Sequence, residues 1–264
     1  VLFRSFQESE SALKYLLFQA IGSSLILFGI TGPALSSLTL IGLSIKLGLA
    51  PFHYWFPSVV KGIPWPSTTL LITWQKLAPI ILITTSFNQQ ALLLTFLGLT
   101  SALVGGLGGI IQTQLRPLLA YSSIGHMGWM LTAAVYSPLT RFFYLLVYIF
   151  ISLPIIWISF NQNLQGIKER GKPMIAPHTV ALITLLISLG GLPPFLGFLP
   201  KLTVLLSINN ILATLIWILG SLINLSFYLN IIFSLSLSFP HRQSPSPIKR
   251  NFSSLIIFTL FLAT

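Results

Sequence analysis

The sequence predicts an all-α, polytopic membrane protein: a transmembrane helical bundle of about eight to nine spans. Of its 264 residues, 54% are hydrophobic and only 6% are charged, whereas about a quarter are charged in an ordinary soluble domain. Apolar runs long enough to cross the hydrocarbon core as helices recur along the whole chain. No segment shows the alternation of apolar and polar residues that is typical of membrane β-barrels.

The predicted spans follow one another with short connections. They cover residues 13–30, 35–56, 67–87, 90–111, 118–136, 142–160, 179–206 and 211–238, and a ninth begins near residue 253. The longest polar connections, 161–177 and 239–252, are too short to bury a core of their own. Residues 1–264 are therefore predicted to form a single transmembrane domain. Because the chain opens on Val1 and stops at Thr264 within an apolar run, we expect it to be incomplete at both ends.

Basic residues are distributed unevenly between the two sides of the predicted membrane. The side of the N-terminus holds Arg4, Lys61, Arg116, Lys168, Arg170, Lys172, Arg242, Lys249 and Arg250, and the loops of the other side hold Arg141 alone. By the positive-inside rule the N-terminus faces the matrix or cytoplasm. The net charge of +11 thus indicates membrane orientation, and no nucleic-acid partner is expected. The absence of cysteine excludes disulfides, thiolate catalysis and cysteine-ligated iron–sulfur clusters.

Three lysines within the predicted spans are the first candidates for function. Lys46 and Lys76 each lie about ten residues into a span of membrane-crossing length, and Lys201 follows a double proline. A lysine in hydrocarbon lines a polar cavity, pairs with another group or marks an ion path, unless it snorkels from a helix end. Each lysine also has prolines nearby, which free backbone carbonyls: Pro51, Pro79, and the set Pro193, Pro194 and Pro200. Helix breaks beside buried lysines are typical of a hydrated ion path. We expect residues 190–201 to form a broken helix whose freed carbonyls face Lys201.

Histidine and glutamate complete the inventory of titratable groups. The three carboxylates all lie outside the spans: Glu8, Glu10 and Glu169. A counter-charge for Lys46 must therefore come from a missing segment, a neighbouring subunit or water. His126 lies mid-span among small polar residues, where a neutral imidazole suits either a proton relay or a structural bond between helices. His53, beside Tyr54 and Trp55, is expected to be an interfacial anchor.

A glycine cluster at residues 105–109, GGLGG, lies within the fourth span. It contains the GxxxG spacing that lets membrane helices approach closely. It has no following Lys-Ser/Thr, so a phosphate-binding loop is excluded. We therefore expect it to serve helix packing.

Four motifs carry a resemblance to a known family. Residues 44–57 have the sequence SIKLGLAPFHYWFP, 73–80 TWQKLAPI, 119–129 LAYSSIGHMGW and 189–201 LGGLPPFLGFLPK. In order and spacing they resemble the antiporter-like membrane subunits of respiratory complex I, NADH:ubiquinone oxidoreductase, most of all the mitochondrial members from animals. Arg116 followed by Pro117 departs from the two basic residues that relatives often carry before LAYSS.

The resemblance implies an antiporter-like fold with two proline-broken helices, and a core membrane-arm subunit that couples NADH-to-ubiquinone electron transfer to proton translocation. Lys46 matches the lysine of the first broken helix, Lys76 the bridging lysine after it, His126 the histidine that follows, and Lys201 the lysine at the second break. The family also places an essential glutamate on a helix upstream of the one that begins near Leu13.

The resemblance further implies that NADH, FMN, iron–sulfur clusters and ubiquinone are bound by partner subunits, so that this chain itself has no cofactor or metal. Its direct partners would be other membrane subunits of the complex and the lipid bilayer, with ubiquinone only an indirect one. The expected location is the mitochondrial inner membrane, with this N-terminus on the matrix side. Two alternatives share the same motifs: a stand-alone cation/proton antiporter and a structural scaffold subunit.

Overall fold

A computed structural model describes residues 2–32, 36–87, 90–162, 164, 176–208 and 211–237. These residues form eleven α-helices and no strand: α1 Leu2–Ile30, α2 Ser36–Leu47, α3 Trp55–Gly62, α4 Trp65–Ile72, α5 Trp74–Ser86, α6 Ala91–Ile110, α7 Leu115–Tyr136, α8 Pro138–Asn161, α9 Ala176–Gly190, α10 Phe198–Ser207 and α11 Ile211–Leu237. The prediction of an all-α, multi-span bundle is confirmed. The predicted ninth span, and almost all of the 161–177 connection, lie outside the described residues.

Five of the predicted spans are single helices, and the other three are each divided. Span 35–56 consists of α2 and the start of α3, span 67–87 of α4 and α5, and span 179–206 of α9 and α10. In the part of the chain that the structure describes, five helical stretches are long and apolar enough to cross a membrane, and α4 with α5 counts as one of them. Three shorter apolar helices, within α2, α9 and α10, belong to the broken spans. The chain is thus a multi-pass membrane protein whose helices are interrupted at defined places.

Helix α7 occupies the centre of the bundle. Nearly all of its 22 residues are buried, because α3, α6, α8 and α10 pack around it. A helix surrounded by protein can carry polar side chains without exposing them to lipid. This explains how α7 holds Ser122, Ser123, His126 and Thr132 in a membrane domain.

Glycine lets α6 lie directly against α7. A Cβ atom on Gly105 would lie 2.6 Å from the backbone nitrogen of Gly125, and one on Gly98 would lie 2.9 Å from the carbonyl oxygen of Gly128. On another face of α6, Gly106 and Gly109 meet side chains of α11. The predicted packing role of the glycine cluster is confirmed, and the cluster serves two neighbouring helices.

Two arginines hold opposite ends of the bundle. Arg116, at the start of α7, donates a hydrogen bond of 2.6 Å to the carbonyl oxygen of Ile63 in the connection between α3 and α4. Arg141, at the start of α8, donates to the hydroxyl of Thr84 near the end of α5. Each contact joins two neighbouring connections that the distribution of basic residues assigns to the same side of the membrane. Arg141 is buried, although the sequence predicted a loop residue.

Candidate functional site

The first helix break separates α2 from α3. Gly48 adopts φ 68°, and the amides of Gly48 and Leu49 donate to the carbonyls of Ile45 and Ser44, which is the hydrogen-bond pattern of a Schellman helix end. The connection then needs partners from elsewhere in the protein. The hydroxyl of Ser101 on α6 accepts from the Ala50 amide at 3.1 Å. A break inside the bundle is thus satisfied by protein groups, as the membrane interior requires.

Lys46 lies in the last turn of α2, directly before this break. Its side chain is half-buried and runs across α1 at Gly22, where an added Cβ would lie 2.9 Å from the lysine Cγ. The C-terminus of a helix carries a partial negative charge, which favours a nearby cation. Within the described residues, Lys46 makes no ion pair or hydrogen bond through its ammonium group.

His53 lies in the same break and is only 5% exposed. Its ring centroid is 4.1 Å from that of Tyr54 and 6.4 Å from that of Tyr121 on α7. The prediction of an interfacial anchor at a span end is therefore wrong. The break between α2 and α3 places His53 between two half-helices, where the bundle covers it.

Lys76 lies in the first turn of α5, and its side chain is 4% exposed. Its Nζ donates a hydrogen bond of 2.8 Å to the hydroxyl of Ser123 on α7 and lies 4.6 Å from the ring centroid of Phe56. The ammonium therefore points into the bundle, which excludes snorkelling. The sequence did not predict the division at Thr73, just before this residue, and Pro79 remains inside α5.

The second break separates α9 from α10 and confirms the interruption predicted between Gly190 and Lys201. Gly191 adopts φ 78°, and its amide donates to the carbonyls of Ile187 and Ser188. The connection returns onto α9 at Gly197, whose amide lies 3.3 Å from the hydroxyl of Ser188. A Cβ atom on Gly197 would overlap the Ser188 carbonyl oxygen, so this approach requires glycine.

Lys201 holds the carbonyl end of α9. Its side chain is 4% exposed, and its Nζ donates to the carbonyl oxygens of Gly190 at 2.7 Å and Leu189 at 3.4 Å. The prediction that carbonyls freed by the break would face this lysine is confirmed. The ammonium thus replaces the amide donors that a continuing helix would have supplied.

His126, on α7, is the third buried titratable group of the site. Its ring is 7% exposed, its Nδ1 is 3.0 Å from the hydroxyl of Tyr144 on α8, and its ring centroid is 5.1 Å from that of Tyr148. The charges of Lys76 and Lys201 both reach it electrostatically. Because the Tyr144 contact joins α7 to α8, the geometry suits a relay and a structural bond alike.

A small cavity adjoins His126 on the side of the second break. It is lined by His126, Tyr144, Val147, Tyr148, Ile151, Leu189, Gly197 and Pro200. The centre of a water molecule has about 10 Å³ of room there, which is enough for about one water between polar partners. The cavity extends from the imidazole to the backbone next to the Lys201 carbonyl partners.

Two tyrosines of this site were not identified from the sequence. Tyr144 and Tyr148 are separated by one helical turn and turn their buried rings toward His126. The i,i+4 spacing of two tyrosines in an apolar span was the available signal, since it places both on one helix face.

Comparisons of the sequence with known proteins identify its relatives. The family model described as "NADH:quinone oxidoreductase/Mrp antiporter, TM" matches residues 33–227. NADH-ubiquinone oxidoreductase chain 2 of Lumbricus terrestris is 42% identical over 253 residues, which cover 90% of this chain and 76% of the relative. The same subunit of Mus musculus is 38% identical over 255 residues, which cover 88% and 73%.

Solved structures share the fold. A chain of respiratory complex I from Thermus thermophilus superposes with a TM-score of 0.79 at 26% identity, and the match covers 96% of this chain and 65% of that one. A chain of the Mrp complex from Dietzia sp. gives a TM-score of 0.78 at 17% identity, covering 90% and 52%; at that identity the likeness shows the fold alone.

The bundle with two broken helices and a buried lysine–histidine set defines an antiporter-like membrane subunit. The chain belongs to the NADH:quinone oxidoreductase/Mrp antiporter family, and within it to the chain 2 subunits of NADH-ubiquinone oxidoreductase, which are core subunits of the complex I membrane arm. The family membership predicted from the four motifs is confirmed.

Proposed function

We propose that this chain translocates protons through Lys46, Lys76, His126 and Lys201, driven by electron transfer from NADH to ubiquinone in other subunits of the complex. One observation carries the proposal: Lys76, Lys201 and His126 are all buried inside an antiporter-like bundle, where the charges of both lysines act on the histidine. An isolated charge in hydrocarbon is costly and marks an ion path. Three neighbouring titratable groups make a path through the bundle.

The two helix breaks support this function because they supply polar groups inside the membrane. At the second break, the carbonyls of Leu189 and Gly190 hold the Lys201 ammonium. At the first, Lys46 lies at the carbonyl end of α2 and is half-buried. Its position at the edge of the described bundle makes it the residue that receives a counter-charge from elsewhere in the complex.

The proposed setting is the mitochondrial inner membrane, with this N-terminus on the matrix side. NADH, FMN, iron–sulfur clusters and ubiquinone belong to partner subunits in this proposal, and other membrane subunits are the direct neighbours. The chain acts as part of an NADH:ubiquinone reductase, with its own residues moving protons only.

Substituting the lysines by methionine in the assembled complex tests the proposal. Lys46→Met and Lys76→Met in the full-length subunit should leave assembly intact but lower the number of protons pumped per electron pair in proteoliposomes. Lys14→Met is the control, because Lys14 is exposed and pairs with Glu10 at the surface of α1. Unchanged pumping in both Lys46→Met and Lys76→Met would contradict the proposal and favour a scaffold role.

The matching family model also describes Mrp antiporters, so a stand-alone cation/proton antiporter is the second candidate. It predicts that the purified subunit alone exchanges sodium for protons across a liposome membrane. Exchange that requires the other complex subunits, and that depends on NADH oxidation, would exclude this candidate.

A further inference from the structure

Phe56 lies against the ammonium group of Lys76. It is the second residue of α3, and 2% of its surface is exposed. The Nζ atom of Lys76 lies 4.6 Å from the centroid of the Phe56 ring, within the distance of about 6 Å over which an aromatic face attracts a cation. The contact therefore joins a charge to a ring face, and both residues are buried inside the bundle.

Lys76 has few other partners for its charge. An ammonium group has three N–H donors, and among the described residues that of Lys76 makes one hydrogen bond, to the hydroxyl of Ser123 at 2.8 Å. Lys201 differs, since two carbonyl oxygens hold its ammonium. The negative face of a phenylalanine ring attracts a cation most strongly where water is excluded. At Lys76 the ring thus supplies part of the stabilisation that carbonyls supply at Lys201.

The first helix break fixes the position of the Phe56 ring. The amide of Phe56 donates a hydrogen bond of 3.0 Å to the carbonyl of His53 inside the break. Gly48, where the backbone turns, approaches so closely that an added Cβ would lie 3.1 Å from the Cβ of Phe56. The neighbouring Trp55 donates through its indole Nε1 to the carbonyl of Ile45 at 3.0 Å, which ties the start of α3 to the end of α2. The backbone of the break therefore holds the ring in place.

We propose that Phe56 is a positioning residue for Lys76. Its ring, fixed by the first break, keeps the charged ammonium at the Ser123 hydroxyl inside the bundle. The ring selects the protonated lysine, because a neutral amine has no positive charge for the ring face to attract. The consequence for proton pumping rests on the function proposed above, whereas the contact stabilises the subunit whether or not it pumps.

A double-mutant cycle tests the contact. Phe56→Leu removes the ring face and leaves an apolar side chain. It is made in the full-length subunit of the assembled complex, both with Lys76 present and in the Lys76→Met background. The temperature at which the subunit dissociates from the purified complex is measured on native gels for all four forms. The cavity left by leucine is common to both backgrounds, so the difference between them reports the contact of ring and ammonium.

Two matched variants should cost the same stability in both backgrounds. Phe56→Tyr keeps an aromatic face for the ammonium. Phe227→Leu removes an equally buried ring, on α11, which packs on Tyr228. If Phe56→Leu prevents assembly, Phe56→Met takes its place in the cycle, because methionine fills irregular gaps in a core.

Phe56→Leu should lower the dissociation temperature by about 2–4 °C more where Lys76 is present than in the Lys76→Met background, as expected for a contact of this kind in a chain of this size. In proteoliposomes, Phe56→Leu should lower the number of protons pumped per electron pair. Phe56→Tyr should retain pumping, and Phe227→Leu should resemble the unmodified complex.

Two results would overturn the proposal. An equal loss of stability for Phe56→Leu in both backgrounds would mean that Phe56 only fills space. Normal pumping in Phe56→Leu, with pumping lost in Lys76→Met, would mean that the ring does not position the lysine for transport, and would leave the proposed function standing. Normal pumping in Lys76→Met would instead contradict the role of Lys76 in the proposed function, while the cycle would still decide whether the ring holds the ammonium.

Discussion

Replacing Gly191 by alanine should release the Lys201 ammonium from the end of α9. Gly191 has φ 78°, in the left-handed region, and an added Cβ would lie 2.8 Å from both Cδ and Nζ of Lys201. The methyl group would therefore occupy the space through which the lysine reaches the carbonyl of Gly190. The substitution strains the backbone and displaces the side chain at once.

The expected loss of stability in Gly191→Ala has two parts. A left-handed conformation costs a residue with a Cβ about 1–2 kcal/mol, and a hydrogen bond to a charged group contributes about 1.5–3 kcal/mol. Together they amount to about 2.5–5 kcal/mol if the ammonium finds no other acceptor. The Lys201 side chain is flexible. If it moves aside and keeps its hydrogen bond to the Gly190 carbonyl, only the backbone strain remains.

Thermal dissociation of the subunit from the purified complex, followed on native gels, measures the combined cost. Gly32→Ala is the control, because no atom outside its immediate chain neighbours lies within 4 Å of the added Cβ. A double-mutant cycle with Lys201→Met separates the parts: without the ammonium, Gly191→Ala should cost only the backbone strain. Equal stability of Gly191→Ala and Gly32→Ala would refute this account of the second break.

Two further predictions concern helix packing and orientation. Gly105→Ala should destabilise the contact of α6 with α7 by about 1–3 kcal/mol, because its Cβ would lie 2.6 Å from a backbone nitrogen, whereas Gly220→Ala meets nothing closer than 3.7 Å; thermal denaturation of the two variants checks this. Because the chain contains no cysteine, Lys61→Cys and Leu139→Cys create single labelling sites at exposed positions on opposite sides. A membrane-impermeant maleimide on the matrix side should label only the first, and the reverse pattern would contradict the topology.

The second break could be predicted from sequence because its cause is local. Three prolines and three glycines between Gly190 and Lys201 remove backbone donors and helix propensity at about 3 kcal/mol for each interior proline, whatever surrounds them. The division at Thr73 has no such local cause, since neither neighbour is glycine or proline. Pro79 is the nearby residue that would indicate a helix break, yet it lies inside α5.

The candidate site was partly predictable for a related reason. Lys76, His126 and Lys201 stand out because polar residues are rare in apolar spans, and the structure brings all three together. Tyr144 and Tyr148 do not stand out, because tyrosine in a membrane helix is as typical of the interface as of a polar site. His53 was misjudged on the same rule: its aromatic neighbours indicate an interface, and only the path of the chain through the break shows otherwise.

At both helix breaks a lysine lies near the C-terminus of a helix, but the two lysines come from different helices relative to the break. A helix C-terminus carries about half a negative charge, and within the described residues no carboxylate pairs with Lys46, Lys76 or Lys201. At the first break Lys46 belongs to the ending helix itself, in the last turn of α2. At the second, Lys201 belongs to the following helix and reaches back to the last carbonyls of α9. Lys76 has neither arrangement, since among the described residues its ammonium contacts the Ser123 hydroxyl and the Phe56 ring. Of the two fully buried lysines, Lys76 therefore has the fewer hydrogen bonds among the described residues, one through its ammonium against two for Lys201.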